Sequence, residues 1–375
     1  MRSSISSSES LRKSGRREDP PLRAVPVGPW RRIAVLSLTV FVAALAVWEG
    51  YWRSEWFVPS YRNSDGLWTL THDRIDREGP GGTVIVGSSR VLFDLNLEAW
   101  RDETGAVPIQ LALEGTGARP FLTHLAQDTA FSGLVVVGVT PPLFFPSEPG
   151  LRTAILDYRR DESPSQRVSQ LLSMTFLEPY LAFYDPDTAL FTVLARQTFW
   201  PDREGKEPSF PKVRKLSLTR RTRQNDMWNK VELDPEYRKI AQDTWLAFLR
   251  APRPPPPPPE ELERQFEALL EAVAADVRRI RERGGEVVFV RAPSSGPFFE
   301  AENHGFPRER TWDPLLQATD AVGIHFQDHA DLQDVDLPEW SHIRAQDTDR
   351  FTRALIGHLR TALAERGTPR KELAP

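Results

Sequence analysis

Two serines and one Glu-His pair are the residues of this sequence best suited to nucleophilic chemistry. The serines stand in the Gly-Ser-Ser-Arg motif at residues 87–90, directly after the β-branched run at residues 83–86. A serine hydroxyl attacks a carbonyl carbon at neutral pH only when an adjacent base takes its proton, and a carboxylate normally orients that histidine base. Glu339, three residues before His342, supplies such a pair. We therefore predict that a serine of the first motif, His342 and Glu339 form a catalytic set.

Short apolar runs, each followed by residues typical of loops, predict the elements that must position these side chains. Apolar residues at 3 and 4 spacing between Leu262 and Ile280, and again between Phe351 and Leu363, predict amphipathic helices. The alternation of strand and helix predicts an α/β fold of three αβα layers with a parallel five-stranded sheet. The predicted strands are residues 83–86, 109–113, 134–139, 287–290 and 323–326. Ligands of such sheets bind beyond the carboxyl ends of the strands, where the serine turn lies.

Residues 150–259 interrupt the alternation and are rich in Pro, Trp and Arg. We interpret them as a largely helical insertion in the α/β domain. The basic run Arg220–Arg223 is typical of a solvated face, and contact with anionic glycan or lipid head groups is the alternative. The polyproline stretch at residues 253–259 favours a stiff spacer that closes the insertion, with a ligand for a proline-recognition domain as the alternative.

The composition excludes several classes of function. The chain has no cysteine, which excludes a disulfide scaffold, a zinc-thiolate site and a cysteine nucleophile. A net charge of -4 and a pI of about 6.1 give no basic field for nucleic acid. The His-Phe-Gln-Asp-His segment at residues 325–329 holds two histidines, but strand geometry would make them diverge. We therefore expect no metal and no cofactor.

An apolar stretch near the amino terminus predicts a membrane span. Residues 33–48 carry no charge, two arginines precede them, and tryptophan or tyrosine stands at each end. Residues 1–32 hold eight Arg or Lys against three acids, a net charge of +5, so the rest of the chain carries -9. By the positive-inside rule we predict a disordered basic cytoplasmic tail at residues 1–30, a transmembrane anchor at 31–52 and an extracytoplasmic (periplasmic) domain at 53–375.

Two other interpretations of this stretch remain open. Ala44-Leu45-Ala46 resembles a signal-peptidase site, so a cleaved signal peptide is one alternative, and it agrees with the anchor on export. A buried core helix is the other, but it leaves the basic flank and the aromatic pairs unexplained.

The order and spacing of these motifs resemble the SGNH (GDSL-like) hydrolase superfamily, whose members share a three-layer flavodoxin-like αβα fold and are often esterases or acyltransferases. The resemblance covers roughly residues 80–145 and 285–365. The membrane span, the Gly-Ser-Ser-Arg block and the Glu-Trp-Ser-His ending are similar to exported SGNH-like proteins that act with membrane-bound O-acyltransferases on cell-surface polymers. The resemblance therefore implies such an O-acyltransferase as a partner and an envelope polysaccharide as the substrate.

Carried to this sequence, the resemblance assigns roles residue by residue. Ser89 takes the position of the nucleophile, His342 that of the base, and Glu339 stands where the family usually has Asp. The backbone N–H groups of Ser89 and Gly115 would hold the oxyanion, with Gly117 as a second candidate. The third block departs from the family pattern, since Thr140 replaces the oxyanion-hole asparagine, and we expect the Thr140 hydroxyl to donate to the oxyanion in its place.

The same residues also have plain structural uses. Ser88 and Ser89 follow a strand, where serine commonly caps a helix, and His342 would serve as a solvent-facing cap or a core hydrogen-bonding group. The missing asparagine favours a catalytically inactive glycan-binding or assembly protein, whereas the complete Ser-His-Glu set favours an enzyme.

Overall fold

The computed structural model of the chain describes residues 27–79, 81–127, 131–146, 152–196, 213–252 and 255–374. Contacts divide the chain into two compact units, one ending at Trp48 and the other beginning at Glu49. Residues 1–26, which make up most of the predicted basic tail, lie outside the described residues.

The predicted membrane span is a single helix, α1 (Trp30–Ser54), of 25 residues. At 1.5 Å per residue it is about 37 Å long, enough for a hydrocarbon core of about 30 Å. By length and composition it is able to cross a membrane. The helix passes through residues 44–46 without a break.

The first half of the α/β domain supplies three strands of the sheet. The elements are α2 (Asp65–His72), α3 (Arg74–Glu78), β1 (Thr83–Val86), α4 (Ser89–Asp94), α5 (Leu97–Thr104), β2 (Ile109–Gln110), α6 (Arg119–Gln127), β3 (Leu134–Gly138) and α7 (Pro141–Phe144).

The insertion combines short helices with one small hairpin. Its described elements are α8 (Ile155–Asp161), α9 (Pro164–Phe176), a 3₁₀ turn (Ala182–Tyr184), α10 (Leu190–Ala195), β4 (Ser217–Thr219), β5 (Asn225–Met227), α11 (Asn229–Leu233) and α12 (Pro235–Arg250). The prediction of a largely helical insertion misses the antiparallel hairpin of β4 and β5. Each strand has three residues, too few for a recognisable alternation. Residues 253 and 254 of the predicted spacer lie outside the described part, and residues 255–258 are exposed.

The second half completes the sheet and covers it. Its helices and strands are α13 (Pro259–Glu282), β6 (Glu286–Arg291), α14 (Gly296–Gly305), α15 (Arg308–Thr319), β7 (Val322–His325), α16 (Ala330–Gln333) and α17 (Thr348–Glu365). Short 3₁₀ turns lie at Phe326–Asp328, Ala345–Asp347 and Lys371–Leu373. Both helices predicted from 3 and 4 spacing are confirmed as α13 and α17.

The five predicted strands form one parallel sheet in the order β2-β1-β3-β6-β7. Val84 pairs with Ile109 on one side and with Val135 on the other, and Val135 pairs in turn with Val287. The order is that of a doubly wound sheet, so the loops after β1, β2 and β3 lie side by side at one edge.

Both faces of the sheet are buried, which explains why its strands are continuous apolar runs. Val84 and Val135 pack in one core cluster with residues of α6, α13 and α15. Ile85 and Val136 point the other way, into a cluster with residues of α4, α5 and α17.

The position of Arg223 corrects the interpretation of the basic run Arg220–Arg223 as a solvated face. Its side chain is fully buried, whereas Arg220 and Arg221 are exposed. The guanidinium donates hydrogen bonds to the carbonyl oxygens of Gln110 and Ala112, at and just beyond the end of β2. Because β2 is an edge strand, these acceptors have no further strand to pair with. A run of arginines in the sequence gives no sign that one of them satisfies this edge.

Replacing Arg223 tests this role. Arg223→Ala leaves buried carbonyl oxygens without donors, so we expect it to lower the free energy of unfolding by about 3 kcal/mol or more. Arg221→Ala, on the same turn but exposed, is the matched control and should stay within about 0.5 kcal/mol of the wild type. Chemical denaturation of the full chain in detergent measures both. Equal effects of the two substitutions would contradict the role assigned to Arg223.

Candidate functional site

The turn after β1 brings the first motif close to the neighbouring strand. A Cβ atom on Gly87 would lie 2.5 Å from the Val91 side chain and 3.1 Å from the Cα atom of Gly138. Only glycine therefore allows this turn to approach β3 so closely.

The structure separates the two serines of the motif. Ser88 is buried and caps α4, its Oγ accepting a hydrogen bond from the Arg90 N–H at 3.3 Å. Ser89 is the first residue of α4 and partly exposed, and its Oγ makes no hydrogen bond with any described residue. The capping role holds for Ser88, and Ser89 is the serine that a substrate is able to reach.

The third block meets the first through a hydroxyl pair. Ser88 Oγ and Thr140 Oγ1 lie 2.6 Å apart, and both residues are buried. One hydroxyl donates to the other, so the hydrogen-bonding capacity of Thr140 is shared with Ser88. Thr140 therefore occupies the expected edge of the sheet but is already engaged.

The second block runs alongside the first turn. Leu111 N–H donates to Ile85 O at 2.8 Å, and Leu113 N–H donates to Gly87 O at 3.0 Å. Two residues beyond that contact, Gly115 has a left-handed φ of 62° and its N–H has no acceptor among the described residues. Gly117 instead packs closely, since a Cβ there would lie 2.1 Å from Leu143 O. The unbonded N–H of Gly115 is thus compatible with its predicted role as an oxyanion donor.

The Glu339–His342 pair forms as the sequence predicts. His342 Nδ1 lies 2.8 Å from Glu339 Oε1, and the same oxygen accepts the His342 backbone N–H at 2.7 Å. Glu339 is fully buried and His342 is 2% exposed, which excludes the solvent-facing cap. Between them Trp340 adopts a φ of 72°, a strained conformation for a bulky residue and one that clusters at functional sites.

The insertion contributes a hydrogen-bond donor to the Glu339–His342 pair. The sequence does not reveal this contribution. Trp245 on α12 donates its indole N–H to Glu339 Oε2. Burial alone would raise the pKa of Glu339, but the charge and hydrogen bonds of His342 and the Trp245 N–H outweigh it and hold the pKa below its usual value. Glu339 is therefore an ionised carboxylate that fixes the imidazole.

Helix α4 and the loop of residues 339–343 dock against each other. The ring of Phe93 stacks on His342 with centroids 4.2 Å apart, and Asp94 Oδ1 accepts the Ile343 N–H at 2.9 Å. Because Ser89 lies four residues before Phe93, the two side chains lie on the same side of α4.

Ser89, the candidate nucleophile, and His342, the candidate base, are not joined by a hydrogen bond in the described part of the chain. His342 Nε2 is buried and has no hydrogen-bond partner among the described residues. The structure thus brings Glu339 to His342 and Thr140 to Ser88, and it stacks His342 on Phe93 of the helix that begins with Ser89. It shows no hydrogen bond between His342 and Ser89 Oγ in the described part of the chain.

A buried ion network that sequence reasoning missed lies next to Ser89. Glu302 Oε2 accepts hydrogen bonds from Arg90 Nη1 at 3.0 Å and from Arg291 Nη2 at 2.5 Å, and Ser294 Oγ donates to the same oxygen at 2.8 Å. Burial works to raise the pKa of Glu302, but Arg90 and Arg291 overcome it and lower the pKa to about 2. Two cations share one carboxylate, so the network has a net positive charge. Glu302 stands in a helix with no motif around it, and nothing in the sequence singles it out.

Asp94 is a second residue that the sequence did not indicate. It is fully buried, and its Oδ2 has no hydrogen-bond partner among the described residues. Burial raises its pKa to about 7, although His342, the Ile343 N–H and Arg90 act in the opposite direction, and Glu339 reinforces the rise. The carboxyl that holds the histidine loop therefore titrates near neutral pH.

Two histidine groups bear on metal binding. Of the predicted segment, His325 Nδ1 accepts the Gln327 N–H at 3.2 Å, whereas His329 stacks on His358 with centroids 3.8 Å apart. Sequence reasoning did not single out His72, Asp73 and Asp76, whose ligand atoms lie within 4.8 Å of one another. Arg167 and Arg159 already form ion pairs with the two carboxylates, so this cluster is accounted for as an ion-pair network.

No family model, no curated protein and no solved structure matches the chain.

Loss of Glu302 tests the buried network. Glu302→Gln leaves two buried guanidinium groups sharing no anion, so we expect the free energy of unfolding to fall by about 3–5 kcal/mol. Glu300→Gln, exposed on the same helix α14, is the control and should be nearly neutral. Denaturant unfolding of the full chain gives both values, and a fall of less than about 1 kcal/mol for Glu302→Gln would show that the network is not needed.

The titration of Asp94 predicts a pH-dependent stability. Below about pH 4 the Asp94 carboxyl is protonated in both the folded and the unfolded chain. The raised pKa of the folded state then makes its full contribution to the free energy of unfolding. That effect is lost as the pH rises through about 7, at a cost on the order of a few kcal/mol. Asp94→Asn does not titrate, so its stability relative to the wild type should rise between pH 4 and pH 7 and then level off.

Unfolding curves of wild type and variant across this pH range measure the difference. Asp157→Asn, whose side chain is 66% exposed, is the control and should show no such rise. A difference that does not change with pH would show that Asp94 is ionised throughout.

Proposed function

We propose that the chain is a membrane-anchored, extracytoplasmic SGNH-like acyltransferase or esterase with three αβα layers, acting on O-acyl groups of an envelope polysaccharide. The observation that carries the proposal is the buried Glu339–His342 pair, whose imidazole has an unpartnered Nε2 and stacks on Phe93 of the helix that begins with Ser89. The glycine-containing turn, the ionised carboxylate and the unbonded serine are parts that acyl transfer through serine uses.

Glu339 sets the protonation of the base. A carboxylate only accepts hydrogen bonds, so the 2.8 Å contact places the imidazole proton on Nδ1. Nε2 then carries the lone pair and is able to take the proton of Ser89 Oγ. Substrate binding must bring these two atoms within hydrogen-bond reach, as catalytic contacts often tighten only in the complex.

The reaction then proceeds in two balanced halves. Ser89 Oγ attacks the acyl carbonyl while Nε2 accepts its proton, and the N–H groups of Ser89 and Gly115 stabilise the oxyanion. The C–O bond to the leaving alcohol breaks as His342 returns the proton to that oxygen. A sugar hydroxyl or water, deprotonated by His342, attacks the acyl-serine ester, and the proton passes back to Ser89 Oγ.

Location and partners follow from the amino-terminal region. The basic residues before α1 favour a cytoplasmic amino terminus and an α/β domain across the inner membrane. The resemblance adds a polytopic O-acyltransferase in the same membrane, because a single helix has no room to carry an acyl donor through the bilayer.

A second candidate is a catalytically inactive domain that binds glycan or organises an acylation complex. Two observations favour it: His342 Nε2 makes no bond to Ser89, and the Thr140 hydroxyl that replaces the family asparagine is held by Ser88. A preorganised oxyanion donor is worth about 2.7–4 kcal/mol of transition-state stabilisation, so its loss bears directly on activity.

A fluorophosphonate probe, which phosphonylates activated serines, separates the two candidates. We expect the full-length protein in detergent to be labelled, and Ser88→Ala to retain label because the buried Ser88 hydroxyl is engaged in capping α4 and bonding Thr140. Ser89→Ala removes the attacking atom and His342→Ala removes the base, so both should lose label. Ser169→Ala, exposed on α9, is the control and should label fully.

Folded wild type that takes up no label would overturn the enzyme and support the binding protein. Label that persists in Ser89→Ala but disappears in Ser88→Ala would move the nucleophile to Ser88.

A further inference from the structure

Helix α9 presents an apolar face that no described residue covers. Val168, Leu171, Leu172 and Phe176 follow 3 and 4 spacing, so they lie on one side of the helix. Their exposed fractions are 54%, 42%, 52% and 64%. The surface of a monomeric soluble protein rarely exposes a continuous stripe of large apolar side chains to water.

The residues after α9 continue this character. Tyr180 is 63% exposed between the helices, and on α10 Leu190 and Phe191 are 57% and 85% exposed. We call the exposed apolar residues of α9, α10 and the segment between them the apolar platform; they are Val168, Leu171, Leu172, Phe176, Leu177, Tyr180, Leu190, Phe191 and Leu194.

The first part of the apolar platform, residues 168–184, carries almost no charge. Between residues 168 and 184 the only charged residue is Glu178. It is 2% exposed and accepts hydrogen bonds from the Arg62 N–H at 3.0 Å and the Ser173 hydroxyl at 2.6 Å. The segment thus turns its one carboxylate inward and its apolar side chains outward.

The platform is hydrogen-bonded to residues of α1 that follow its uncharged stretch. Glu49 follows the uncharged stretch directly, and its carboxylate accepts the backbone N–H groups of Ala182 and Phe183, each at 3.0 Å. Arg53 Nη2 donates to Tyr180 O at 2.9 Å. A charged side chain is costly to bury in hydrocarbon, so a span that ends before Glu49 would leave these contacts at the lipid–water interface.

Helix α10 is tied to the same point. The Thr188 hydroxyl donates to Phe183 O at 2.7 Å and to Asp185 O at 2.9 Å, just before α10 begins. Both apolar helices therefore flank the turn that Glu49 holds.

We propose that the apolar platform lies in the outer-leaflet interface of the bilayer that α1 spans, with its side chains among the head groups and upper acyl chains. The inference rests on the membrane anchoring within the proposed function and is independent of catalysis. An interfacial helix buries one apolar face about 5–10 Å into this boundary, and the platform supplies such a face in a segment hydrogen-bonded to Glu49 and Arg53. Aromatic residues such as Tyr180 favour the same depth.

Because the chain has no cysteine, single-cysteine variants report on one position at a time. Full-length protein with Leu172→Cys, Phe176→Cys or Phe191→Cys is labelled with an environment-sensitive fluorophore and reconstituted into phosphatidylethanolamine–phosphatidylglycerol vesicles. Leu233→Cys and Leu262→Cys are matched controls, since these apolar residues are 66% and 44% exposed outside the platform. Leu38→Cys reports insertion of α1.

We expect the platform labels to shift to the blue and to be quenched by brominated lipids, with neither effect at residues 233 and 262. Platform labels as accessible to aqueous quencher as the controls would overturn the proposal. So would platform labels protected from water but not quenched by brominated lipid, which would assign the surface to a protein partner. A label at residue 38 outside lipid would remove the anchoring premise, whereas fluorophosphonate labelling of Ser89 tests catalysis separately.

Discussion

The docking of α4 against the loop of residues 339–343 is the interaction on which the site depends. It joins the first motif of the α/β domain to the last across the core, through the Phe93–His342 stack and the bond from the Ile343 N–H to Asp94. Because Ser89 is the first residue of α4, the contacts that hold this helix also set the position of Ser89, the candidate nucleophile, relative to His342, the candidate base. Burial of the Asp94 carboxyl makes this docking sensitive to pH near neutrality, in the same range as histidine chemistry.

Burying charge beside the site carries a desolvation cost that the structure offsets by pairing. Arg90 and Arg291 share Glu302, and Glu339 has both His342 and Trp245 as donors. Removing one partner of such a group costs more than the pair contributes, because the remaining charge stays out of water. The arrangement is rigid for that reason, and rigidity suits a base that must stay in one tautomer.

The insertion is part of the machinery of the α/β domain. It supplies Trp245 to the Glu339 carboxylate, Arg223 to the edge of the sheet and the apolar platform to the backbone contacts made by Glu49. One segment thus contacts the candidate site, completes the sheet and hydrogen-bonds to Glu49. A resemblance that covers only the strands and terminal motifs leaves all three contributions out.

The sequence by itself determined the parallel sheet, its five strands and the long helices, because continuous apolar runs and 3.6-residue periodicity reflect local burial. It also determined an amino-terminal helix long and apolar enough to cross a membrane. It also indicated the Glu339–His342 pair, whose members are only three residues apart. Only the tertiary structure decided which serine is reachable, that Asp94 and Glu302 are buried, and that Arg223 lies inside. Those properties depend on contacts between residues more than 50 positions apart, such as Ser88 with Thr140, Arg223 with Gln110 and Asp94 with Ile343. Local pattern carries no information about such contacts.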